Sequence, residues 1–265
     1  MKTLFIVLTC IFFSVETAQA QSSTKELKVA TQKDPNESEV KKETLEMLMP
    51  AVVEVSGTKD PELKPYRTMI KGLDAFEKNS HLAPNAKFRF ILKTQRRDTP
   101  IQGTTLRITG DTVSIPVEIA GDGTFTLTRN ALAEEENADL MLNRKKASMR
   151  WRPYIRSSSV LPNQLRLGDL RLECEILWAI EYDETSFFVR NLFRLAGGAC
   201  NSSRISNGMI IPNLLSATLV SGARRLKIAD ATKDKFRDWL EPPLYDKSWD
   251  DDTIIELEFE DKTLN

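Results

Sequence analysis

His81 is the only histidine in the chain, so any Ser/His/Asp triad or Cys/His pair has to use it. It lies in a loop-like stretch, NSHLAP, with no nucleophile motif beside it. Zinc chemistry has a single imidazole to draw on, and neither H-E-x-x-H nor clustered C-x-x-C occurs. No catalytic residue, metal site or cofactor is therefore assigned. Carboxylates remain, because two of them hydrolyse a glycoside without histidine. Glu173, Glu175 and Glu181 fall on one side of an alternating run and read as the solvent face of a half-buried strand. Asp250, Asp251 and Asp252 could offer oxygens to calcium, but the EF-hand spacing is missing and a solvated turn is expected. Trp151, Trp178, Trp239 and Trp249 would form a carbohydrate platform if exposed together. Trp151 and Trp178 sit on the apolar side of their predicted strands, which favours core.

One stretch is electrically one-sided. RKKASMRWRPYIR, residues 144–156, holds six basic residues and no acidic one. Read as a strand, it turns Met149, Trp151 and Ile155 inward and lines its other side with Arg150, Arg152, Tyr154 and Arg156. Such a row of donors beside an aromatic ring is a candidate face for an acidic polymer or an acidic protein surface. The competing reading is a solvated face, or one met by the chain's own acidic end. Residues 230–261 carry twelve Asp and Glu against four Lys and Arg.

The elements that would position these residues follow from periodicity and punctuation. The first twenty residues combine Lys2, the apolar run LFIVLTCIFF and the small-residue triplet AQA, the order of a secretory signal cleaved before Gln21. No other stretch reaches the roughly 18 apolar residues of a membrane-spanning helix. The expected location is periplasmic or secreted, and a formal net charge of −1 gives no general pull toward nucleic acid. Cys10 belongs to the leader; Cys174 and Cys200 remain, and an even pair in an oxidising compartment predicts a disulfide.

Residues 21–60 read as a polar, aromatic-poor arm, with a short helix expected at 40–49 and a strand at 51–55. Tyr66, Met69, Ile70, Leu73 and Phe76 recur at three and four and predict a helix over 65–79. From Lys87 the period becomes two, in KFRFILK, TTLRITG, VSIPVEIAGDGTFTL, ADLML and SMRWRPYIR. A phosphate loop needs its glycines to lead into a helix, yet GDG leads into alternating Thr124 to Thr128, so this reads as a turn between two strands of one hairpin. After residue 163 the alternation of Leu170, Leu172, Cys174, Ile176, Trp178 and Ile180 predicts a strand. A helix of about ten residues around 188–196 follows, then strands near 205–211, 216–220 and 224–228, a short helix at 233–240, and the terminal strand TIIELEFE.

The expected fold is mainly β with some α. Its parts are a leader (1–20), a flexible polar arm with helical content (21–60), a helix plus antiparallel β-sandwich-like domain (61–163), and a mixed α+β domain with the Cys174–Cys200 bridge (164–265). Within it, an alternating strand, a D-G turn and an aromatic-x-leucine step (residues 117–127) resemble the carboxypeptidase-regulatory-like or transthyretin-like sandwich modules of exported proteins, and the resemblance spans about residues 87–156. It implies a structural or binding module without its own active site; otherwise the chain resembles exported bacterial proteins. Three functions are weighed: a non-catalytic envelope protein acting as a binding or structural module, a carboxylate-based glycan hydrolase, and a small-ligand binder using a cleft between the two halves. The missing histidine and nucleophile signatures favour the first.

Overall fold

The computed structural model describes residues 58–95, 100–203, 208–231 and 238–260. The predicted leader and almost all of the polar arm, with its helix and strand, lie outside them. The described chain begins with β1 (Pro61–Pro65) and runs directly into α1 (Tyr66–Asn79). Then come β2 (Lys87–Thr94), β3 (Leu106–Thr109), β4 (Ser114–Val117), β5 (Thr124–Phe125), α2 (Ala131–Glu135), β6 (Asp139–Lys145), β7 (Met149–Arg156) and β8 (Gln164–Arg166). The remainder is α3 (Leu167–Glu181), α4 (Phe187–Leu195), β9 (Met209–Ile210), β10 (Leu214–Ser221), β11 (Arg224–Asp230), β12 (Trp239–Leu240) and β13 (Ile254–Phe259). The fold is mainly β with some α, and every strand pairing is antiparallel.

Two sheets occupy the first half, in the orders β1-β6-β3-β4 and β5-β2-β7. Their inner residues and the buried side of α1 (Tyr66, Met69, Ile70) form one apolar cluster. β11-β10-β13-β8 builds a third sheet, and its inner face holds a second cluster around Leu219, Trp249 and Ile255. Most of the predicted helix at 233–240 lies outside the described residues, and its last two positions form the short strand β12.

Two expectations are corrected. The run after residue 167 is a helix, α3, and its period-two appearance has a physical cause. Leu172, Ile176 and Ile180 stack at every fourth position into the first cluster, while Leu167 and Leu170, with Cys174 packed beside them, face the second. Two buried stripes on one helix interleave in sequence and mimic the alternation of a strand. α1 crosses this helix closely: a Cβ on Gly72 would lie 3.0 Å from Ile180 Cδ1.

The stretch 113–127 is also not one hairpin. β4 pairs with β3, whereas β5 pairs with β2 in another sheet. The GDG segment is a tight turn all the same, closed by Ala120 N–H donating to Thr124 O at 2.8 Å. Asp122 Oδ1 accepts from both the amide and the hydroxyl of Thr124, and Gly123 takes a φ of +80° that favours glycine. Gly123 O then accepts from Leu92 N–H, which draws the outgoing chain to β2 instead of back to β4.

The disulfide joins Cys174 of α3 to Cys200 in a 3-10 turn, Ala199–Asn201, with Cα atoms 5.9 Å apart. It closes a loop that contains α4. No described helix is long and apolar enough to cross a membrane.

Candidate anion-binding face

β7 alternates inward Met149, Trp151, Pro153 and Ile155 with outward Arg150, Arg152, Tyr154 and Arg156. Its partner β2 turns Phe88, Phe90 and Leu92 to the same core and Lys87, Arg89, Ile91 and Lys93 outward. The register sets Arg156 beside Lys87, Tyr154 beside Arg89, Arg152 beside Ile91 and Arg150 beside Lys93. Directly paired antiparallel residues share a face. Six cations therefore stand on one side of this sheet with a single phenol ring among them. The β7 half was visible as a basic run in the sequence. Lys87, Arg89 and Lys93 were missed; their signal was the alternation of basic and aromatic residues in KFRFILK, which becomes a site only once the register is known.

Two of the six are partly neutralised. Arg89 lies 3.8 Å from Asp122 and donates to Thr124 Oγ1 at 3.0 Å; Arg156 lies 3.1 Å from Glu173. Both guanidinium groups also sit over the Tyr154 ring, at 5.2 and 4.6 Å from its centroid. Among the described residues no ion pair reaches Lys87, Lys93, Arg150 or Arg152. The acidic end of the chain is engaged elsewhere, through Asp251 with Arg171, Asp252 with Arg166 and Glu256 with Arg225.

Glu173 couples this face to the interior. Its carboxylate accepts from Ile155 N–H at 2.8 Å and pairs with Arg156. Burial pushes its pKa up to about 7, with the Arg156 charge and the Ile155 hydrogen bond pulling the other way.

The other candidates disperse. Because α3 is a helix, Glu173, Glu175 and Glu181 do not share a face: Glu173 lies under β7, Glu175 lines a cavity, and Glu181 is exposed at the helix end. His81 is exposed in a 3-10 turn, Ser80–Leu82. That cavity, of about 220 Å³, is lined by Asn79, His81, Arg171, Glu175, Asn201 and Lys247 among others, with Glu175 its single carboxylate. Burial raises the pKa of Glu175 and lowers that of Lys247. Asp251 and Asp252 are more than a solvated turn, since both hold arginines of the α3 N-terminal region. No group of three metal-ligating side chains occurs among the described residues. Trp249 is buried, Trp151 packs on the first cluster, Trp178 meets Tyr182 and Phe193 edge-on from its helix, and Trp239 is exposed, so no common tryptophan platform forms.

No family model matches the chain, and the searches of curated proteins and of solved structures found no match.

Proposed function

We propose that this protein is an exported, non-catalytic envelope protein that binds an acidic polymer through the outer face of the β5-β2-β7 sheet. The observation that carries the reading is the set of four cations, Lys87, Lys93, Arg150 and Arg152, without an ion pair among the described residues on a face that already holds two more arginines and Tyr154. From Lys87 to Lys93 the strand advances about 20 Å at roughly 3.4 Å per residue. A row of that length suits a chain with phosphate or carboxylate groups at intervals better than a single small anion. The Cys174–Cys200 bridge supports the exported part of the reading, because disulfides persist in oxidising compartments.

The experiment is chromatography on an anionic matrix. Wild type is retained at low salt and elutes earlier as ionic strength rises. Arg150→Glu with Arg152→Glu passes through unretained while folding as wild type. Equal retention of the two proteins overturns the reading, and a double variant that fails to fold assigns these arginines to architecture. Elution by soluble polyanion but not by the equivalent monomer distinguishes a polymer from a small ligand; capture by acidic proteins alone would shift the partner class.

A second reading, a small-ligand binder, rests on the cavity beside α3, where Glu175 and Lys247 face one space without an ion pair between them. Calorimetry with small zwitterions against wild type and Glu175→Gln tests it, and the absence of heat removes it.

A further inference from the structure

Among the described α-helices, α4 alone has no buried residue. Phe187, Phe188, Leu192 and Leu195 are 74, 76, 42 and 83% exposed. Phe188, Leu192 and Leu195 recur at i, i+4 and i+7 and so form one stripe, with Phe187 at its N-terminal edge. The helix is nonetheless well anchored. Ser186 caps its first turn, accepting from Val189 N–H; Phe193 packs edge-on against Trp178 at 5.3 Å; and the Cys174–Cys200 bridge ties the loop that carries it back to α3. Arg190 lies over the Tyr182 ring at 4.9 Å, and Arg194 is exposed. The two acidic residues that precede the helix, Asp183 and Glu184, are held by Lys71 and Lys64.

We propose that α4 is a docking element for the surface of an anionic phospholipid bilayer, lying in the headgroup region with its Phe188/Leu192/Leu195 stripe toward the acyl chains. Two considerations select this occupant. The first is area: a nine-residue helix is about 13 Å long and 10 Å across, too small to provide the roughly 800 Å² per partner of a stable protein interface. A bilayer makes no such demand, since aromatic and leucine side chains partition one by one. The second is charge. Arg194, exposed along one side of the stripe, has a long side chain able to reach headgroup phosphates, and Asp183 and Glu184, the carboxylates just before the helix, are already paired.

The test is vesicle flotation of the full chain with phosphatidylcholine vesicles, with and without phosphatidylglycerol. Wild type floats with the anionic vesicles and less with the neutral ones. Phe188→Asp with Leu195→Asp lowers that partition by about tenfold or more, as expected for an interfacial helix that loses its apolar stripe. Its thermal midpoint stays at the wild-type value because both side chains are exposed. Arg194→Glu reduces binding to anionic vesicles alone. Comparing variants within the same chain separates α4 from every other segment. Wild type that stays out of the floated fraction overturns the inference, and so does a double variant that floats unchanged. Loss on Arg150→Glu with Arg152→Glu but not on Phe188→Asp with Leu195→Asp also overturns it, by moving the contact to the sheet face. A concentration-dependent dimer that the Phe188/Leu195 variant abolishes, with no vesicle binding by wild type, assigns the stripe to self-association instead.

Discussion

Arginines near the N-terminus of α3 and arginines on β7 live in opposite conditions. Arg171 is buried and every nitrogen is engaged: Nε donates to Leu244 O at 3.0 Å, Nη1 to Asp251 at 2.6 Å, and Nη2 to Asp246 O and Trp249 O at 2.8 and 3.0 Å. Arg166 beside it reaches Leu82 O, Asp169 and Asp252. Asp169 in turn accepts from the amide and hydroxyl of Ser157, each at 2.7 Å. Arg150 and Arg152, in contrast, have no ion-pair partner among the described residues. A buried guanidinium must be satisfied or it destabilises the fold. One left unpaired at the surface costs little and stays available. The difference separates charge that the fold uses from charge that it leaves unengaged.

Breaking the built region should have the largest effect. Arg171→Met deletes the donors of three carbonyls in the segment 244–249 and the partner of Asp251, a loss of about 3–5 kcal/mol by analogy with broken buried networks. Urea denaturation measures it, and a loss below about 1 kcal/mol would mean the segment repacks without its arginine. The bridge comes next. Cys174→Ser with Cys200→Ser should destabilise by about 3 kcal/mol on the chain-entropy account. Because α4 has no buried residue of its own, the same variant should be cut faster by protease within residues 182–199.

How far these regions could be read in advance depended on how local their determinants are. α1 was legible because its apolar residues share one side. The disulfide was legible because only two cysteines follow residue 20. α3 was not, since burial on two sides erased the amphipathic pattern that marks a helix. The Arg171 network was invisible because its carboxylate lies 80 residues away and its other acceptors are backbone carbonyls. The basic face was half legible: residues 144–156 are contiguous, while Lys87, Arg89 and Lys93 join them only through strand pairing, which composition does not encode.

Glu173 sharpens the comparison because it touches both regimes, a half-buried carboxylate on α3 that pairs with Arg156 of the basic face. Its folded pKa of about 7 lies above the ordinary 4.5, so the folded state holds the proton more tightly than the unfolded one. The stability it confers is complete below about pH 4.5 and is lost as pH rises through about 7, a change on the order of 2 kcal/mol. Glu173→Gln, whose amide oxygen can still accept from Ile155, should flatten stability across that window. Denaturation at pH 5 and pH 8 measures the change, and an unaltered slope would assign it to another group. Below pH 7 the neutral carboxyl also leaves Arg156 uncompensated, so retention on an anionic matrix should increase as pH falls from 8 to 5.

The smallest effect on stability is expected where the effect on binding is largest. Arg150 is paired across the strands with Lys93, a like-charge neighbour, so Arg150→Glu replaces a repulsive pair with an attractive one worth a few tenths of a kcal/mol. Arg152 neighbours Ile91, which is only 7% exposed on this outer face, so Arg152→Glu gives up some cover from a longer alkyl stem. The two contributions oppose each other, and neither removes an ion pair. Chemical denaturation of the double variant should fall within about 0.5 kcal/mol of wild type, the usual range for surface substitutions. A loss above about 1 kcal/mol would show that these side chains hold the sheet together and would remove the distinction from the α3 arginines. An unchanged midpoint together with lost retention would show that they serve the partner.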